Sequence, residues 1–144
     1  MESTYQQDFY SWARQQARLL RESRFQELDL SLLAEEVEDM GNRQYEQLES
    51  RLEVLFMRLL KWVHQPAYQG ASWRRSIQEQ RRKIPKHLRK NPGLKSSLPE
   101  IIVSAYEDAR QGAADETGLP LSSFPASCPW SLEQALDADF WPMA

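Results

Sequence analysis

One cysteine, two histidines and five glycines are all that this chain of 144 residues has of those types. The single Cys128 excludes an intrachain disulfide framework and fits a reducing, cytoplasmic setting. With Ser127 and Pro129 beside it and no adjacent base, it reads as a small buried residue rather than a nucleophile. Glycines so scattered make no phosphate cradle, dinucleotide fingerprint or nucleophile elbow. With only His64 and His87 there is no Glu-x-x-His pair of the kind carboxylate di-metal bundles use, so neither a metal nor a cofactor is expected. The longest uninterrupted apolar run, Val54–Met57, is far short of a membrane span. The opening MESTYQQD is polar and acidic, unlike a secretory signal or a basic transit segment. No stretch alternates apolar and polar residues for long, which leaves the all-α class.

What is present is helical periodicity. Leu48, Leu52, Leu55, Leu59 and Trp62 recur at alternating steps of four and three, and Tyr45, Phe56, Leu60 and Val63 widen that stripe. A helix so broadly apolar is packed on several sides, so the expected fold is one domain, residues 1–144, organised around a central helix at 42–64. Five main helices are expected, at about 5–22, 30–40, 42–64, 73–90 and 98–117, followed by a proline- and aromatic-rich tail with a short helix at 132–138. Thr4 with Gln7, Ser97 with Glu100 and Ser131 with Gln134 have the spacing of capping boxes, and Asp29 and Ser72 stand where single caps belong. Gly41 is a natural stop, although the apolar stripe loses little phase there and one continuous helix is the alternative. Leu30, Leu33, Val37 and Met40 form the buried stripe expected of the second helix. Pro85 should kink or split the fourth. Gly118 ends the fifth, whose Ala105, Ala109, Gly112 and Ala113 give a smooth face, and a buried Tyr106 would need a hydroxyl partner.

Charge is sharply segregated beneath a formal net of −3. Residues 22–39 carry a net of −6, residues 51–95 a net of +10, and residues 100–144 a net of −7. The preferred reading is internal neutralisation, with both acidic flanks folding onto the basic middle. The sharper reading is a nucleic-acid face over Arg74–Lys95, with Arg75, Arg82, Lys83, Lys86, Arg89 and Lys90 outward. No aromatic residue lies between Trp73 and Tyr106 to stack on bases.

Candidate site residues follow from helical spacing. Glu35, Glu36 and Glu38 could divide acid and base roles, but lack partners for a metal and read first as an ion pair or a solvated face. Arg51, Arg58 and Gln65, spaced by seven, share an edge with Trp62, and Arg58 could lie over the Trp62 ring. His64 falls opposite, as a surface or satisfied core residue. Arg81 sits inside the Trp73, Ile77, Ile84, Leu88 stripe, which points a guanidinium inward and requires a partner. Glu36 is the expected partner, and Glu35 the next.

Three stretches, LDxxxLxEEVExMG (28–41), LLKWxxQP (59–66) and SWRxxIxxQR (72–81), resemble a bacterial family, domain of unknown function 29. The likeness continues through Asn91-Pro92, Ala105-Tyr106, Glu116-Thr117-Gly118-Leu119 and Phe124-Pro125-x-x-Cys128-Pro129, in the same order, over about residues 5–142. The resemblance implies an all-helical domain and no established activity. This chain departs from the family pattern with Arg58 where many members carry histidine, and with Pro85 where they carry a helix-former.

The first functional expectation is a soluble interaction module without catalytic activity, binding a protein partner or itself, suggested by a tail rich in aromatic residues. The alternative is nucleic-acid binding through Arg74–Lys95. The second alternative is an enzyme or ligand site on Glu35, Glu36, Arg58 and Arg81, with Trp62, Gln65 and Trp73 as further weak binding candidates.

Overall fold

The computed structural model describes residues 4–143, all helical or irregular, with no strand among them. Six α-helices follow in order: α1 (Thr4–Gln7), α2 (Phe9–Arg21), α3 (Leu30–His64), α4 (Ala71–Lys90), α5 (Leu98–Thr117) and α6 (Leu132–Leu136). Short 3-10 turns lie at Phe25–Glu27, Pro66–Tyr68, Pro92–Ser97 and Leu121–Ser123. The all-α expectation holds. The chain divides into two compact units, Met1–Asn42 and Arg43–Ala144.

The first unit contains α1, α2 and the opening turns of α3. The expected single helix at 5–22 is two, α2 being opened by its own cap, Asp8. Its side chain accepts from the backbone N–H of Ser11 at 3.0 Å. Tyr5, Phe9 and Trp12 cluster, with the Tyr5 and Trp12 rings edge-on at 4.8 Å. Trp12, Gln16 and Leu19 are the buried residues of α2. Gln16 accepts from the backbone N–H of Asp29 at 2.9 Å, and Tyr5 donates to Glu36 at 2.5 Å, so both tie α1 and α2 to the start of α3. The stripe Leu30, Leu33, Val37, Met40 is not buried as expected. Leu30, Val37 and Met40 are 68%, 64% and 59% exposed, and Leu33 is half-covered. Nor does Gly41 end a helix: α3 runs unbroken through it, as the continuous phase of the stripe allowed.

The second unit holds the large core. Leu48, Leu52, Leu55, Phe56, Leu59 and Leu60 of α3 are buried with Ile77 and Ile84 of α4 and Ile101, Ala105 and Ala109 of α5. The small residues of α5 admit close approach: a Cβ on Gly112 would stand 3.0 Å from the Met57 sulfur. Pro85 does not split α4, which is helical from Ala71 to Lys90. Burial of Ile84 and Leu88 on either side offsets the one backbone hydrogen bond that proline removes. Ser72 does not cap α4, since Gly70 precedes the helix and Ser72 lies inside its first turn. Ser97 does not cap α5 either. The 3-10 turn runs straight into the helix and leaves Ser97 itself near helical, at φ −96 and ψ −3. Gly118 closes α5 at φ 75, a left-handed conformation that suits glycine. The tail then folds back as expected: Tyr106 donates to the Pro125 carbonyl at 2.6 Å, and Ser131 with Gln134 forms a complete capping box on α6. Phe124 is buried and Trp130, Phe140 and Trp141 are half-buried, so the tail aromatics are structural rather than freely displayed.

Candidate interaction surfaces

In the first unit, helical spacing sets Leu30, Leu33, Val37 and Met40 on one side of α3, with Leu33 between Val37 and Met40. Glu35, Glu38 and Asp39 are exposed on the same turns. Glu36 is half-buried and accepts the Tyr5 hydroxyl, and that hydrogen bond pushes the Tyr5 pKa up to about 12. The expected Glu36–Arg81 pair is therefore replaced on both sides. Arg81 donates from Nε to the Ala135 carbonyl at 2.8 Å and from Nη2 to the Phe140 carbonyl at 2.6 Å. Its Nη1 reaches Gln78 at 3.4 Å, and its guanidinium lies 5.0 Å from the Trp141 ring centre. Backbone carbonyls and a ring face thus compensate a charge whose burial lowers its pKa, an effect that Asp137 opposes. Arg81 is a clamp on the tail, joined to it by two of its N–H donors.

The second unit opens a cleft of about 490 Å3 at the C-terminal end of α3, lined by Trp62, Val63, Pro66, Gln69, Arg74 and Trp141 among others. Trp62 and Trp141 pack at 4.7 Å between centroids. The cation over Trp62 is Arg74 at 5.4 Å, not Arg58. Arg58 is half-buried instead, and its Nε is enclosed with no hydrogen-bond partner. Gln65 is half-buried just beyond α3, while Gln69 donates to the Trp62 carbonyl at 2.8 Å. Trp73 faces another cation, with Lys61 Nζ 5.0 Å from its ring centre. Of the residues put forward from sequence, the cleft wall thus takes Trp62, while Arg81 lies over the ring of Trp141 without lining the cleft. Arg74 and Trp141 were missed as site residues. The Ser72-Trp73-Arg74 motif carried a signal for the first.

A smaller apolar cleft beside it is lined by Leu60, His64, Pro129 and Trp130. The His64 ring stands edge-on to Phe124 at 4.7 Å, and burial lowers its pKa. Burial likewise raises the pKa of the Cys128 thiol, which donates toward the Trp130 carbonyl at 3.4 Å. A thiol held protonated is a poor nucleophile.

On α4, the side chains of Arg74, Arg75, Arg82, Lys83, Lys86, Arg89 and Lys90 are all exposed. Internal neutralisation by ion pairs is sparse within this unit. Lys83 pairs with Glu79 of its own helix, and Lys61 lies 3.7 Å from Glu116. No group of three or more His, Cys, Asp or Glu side chains suited to a metal occurs among the described residues. No helix among them is long and apolar enough to cross a membrane.

The family described as Domain of unknown function DUF29 matches residues 4–141. The chain belongs to that family. No curated protein and no solved structure matches the chain. DUF29 membership fixes no chemistry. The cleft at Trp62 offers ring faces and one guanidinium, which suit an apolar group with an anionic edge. Its lining includes no hydroxyl, thiol, imidazole or carboxylate side chain that could act as a nucleophile or general base.

Proposed function

We propose that this DUF29 protein is a helical interaction module, and that its contact surface is the apolar seam of the first unit. One observation carries the reading: Leu30, Val37 and Met40 recur at steps of seven and three on a well-formed helix and are each more than half exposed. With Leu33 they make two heptads of the pattern by which one helix receives another. Covering such side chains fully is worth roughly 1.5–3 kcal/mol each, less the part already covered. The fitting occupant is an amphipathic helix. The net charge of −6 over residues 22–39 favours, through its field, a partner of net positive charge.

The experiment compares wild type with a Val37→Glu, Met40→Glu variant as bait in lysate of the source cells, with nuclease present throughout. Proteins retained by wild type and lost by a variant of unchanged helicity support the seam. Identical retention by both baits contradicts it.

A further inference from the structure

We propose that the cleft between the middle of α3 and the end of α4 binds a small ligand through a diphosphate or triphosphate group. The cleft measures about 270 Å3. That is just below the range of ligand sites, roughly 300–1,000 Å3, and suits a charged head group whose remainder projects outward. Four cations line it, Arg51 from α3 and Lys83, Lys86 and Lys90 from α4, with no carboxylate among the lining residues. Three of the four come from helical steps of three and four, so like charges are held as neighbours and repel one another. Lys83 has Glu79 beside it, whereas Lys86 and Lys90 have no ion-pair partner among the described residues. A multivalent anion would relieve that repulsion, and phosphate oxygens accept charge-assisted hydrogen bonds from arginine and lysine alike.

The framework around these cations is fixed. Arg51 is steadied by Gln80, which accepts from its Nη1 at 3.3 Å. Behind the cations, buried His87 joins α4 to α3 through Nε2 and the Gln44 carbonyl at 2.8 Å. A carbonyl only accepts, so Nε2 carries hydrogen, and His87 acts as a spacer that sets the gap between the helices. The negative end of the α4 dipole lies nearby, which disfavours an anion. Asn91 moderates it by donating from Nδ2 to the His87 carbonyl at 3.0 Å, and the four cations face it. The cations converge on one hollow from two helices, rather than forming a track. That geometry favours a compact oligophosphate over a nucleic-acid backbone.

Calorimetric titration with inorganic tripolyphosphate at near-physiological salt tests the site. Saturable one-to-one binding is expected. Lys86→Gln with Lys90→Gln should weaken it by about tenfold or more, as loss of charge-assisted hydrogen bonds requires. Arg51→Gln should weaken it on its own. Arg82→Gln with Arg89→Gln, on exposed positions outside the cleft, should change it by no more than about twofold. Absence of saturable binding overturns the proposal, as does equal loss in the two lysine and arginine double variants. Single- or double-stranded oligonucleotides that bind tighter than tripolyphosphate, with affinity rising with length, would also overturn it and assign the cations to a nucleic-acid backbone.

Discussion

The two units use the same helical periodicity to opposite ends. In the second, the four-three stripe of α3 is fully enclosed: Leu48, Leu52, Leu55 and Leu59 have no exposed surface. In the first, the stripe continues along the same helix, yet Leu30, Val37 and Met40 are mostly exposed and Leu33 is only half-covered. Of the eleven large apolar residues left exposed among the described residues, seven fall in residues 4–42, and only Trp12 and Leu19 there are buried apolar side chains. One unit covers its own apolar surface and the other does not. Periodicity states which residues share a face; it does not state what covers that face.

The widest separation between the units should appear in core truncation. Leu55→Ala should cost about 2–5 kcal/mol in chemical denaturation, whereas Val37→Ala should stay within about 0.5 kcal/mol. Comparable losses at both positions would erase the contrast.

Next in size is the tail clamp of the second unit. Arg81→Ala leaves the Ala135 and Phe140 carbonyls without their donor and removes the cation from Trp141. A loss of about 2–3 kcal/mol is expected, together with faster proteolysis within residues 130–143. Arg81→Lys should restore only part of it, since one ammonium does not reproduce two divergent donors. Full recovery with lysine would reduce the clamp to a point charge.

A pH test sharpens the same contrast without disturbing the core. Burial holds the folded pKa of His64 below its ordinary value of 6.5, so the unfolded chain takes up the proton first. The stability contributed by neutral His64 is therefore complete above that value and is lost as pH falls toward the folded pKa. Subtracting the pH–stability curve of His64→Gln from that of wild type should show a loss below about pH 6.5. A gain on acidification would mean that the imidazole has an anionic partner instead.

The smallest effect belongs to the first unit and is spectroscopic. Glu36→Gln should bring the Tyr5 phenol back from about 12 toward its ordinary value of 10.0, seen in ultraviolet titration against a Tyr5→Phe control. An unmoved phenol would show that the Glu36 hydrogen bond is not what holds the Tyr5 proton.

How far the sequence reached depended on the range of each interaction. The α3 core, the Gly118 stop and the Ser131–Gln134 box are encoded within a few residues, and all were legible. Asp8 was overlooked because Thr4 with Gln7 has the spacing of a capping box, although the helix restarts four residues later. Gly41 has the propensity of a stop, but the continuous phase of the stripe left one unbroken helix open, and the adjacent helical turns override the glycine. Arg81 was recognised as inward-facing, but its partners are carbonyls 54 and 59 residues away, and a carbonyl has no sequence signature. The cation at Trp62 was sought four residues before it, while the fold delivers Arg74 from the next helix.

Amide hydrogen exchange along α3 in the isolated protein tests the central contrast most directly, since a single helix passes from one unit into the other. Residues 48–62, which carry the buried stripe of α3, should open only with global unfolding. Residues 30–42 should open locally, at a free energy lower by about 2 kcal/mol or more. Equal protection along the whole helix would contradict the account, because it would mean that the first unit is as complete without a partner as the second.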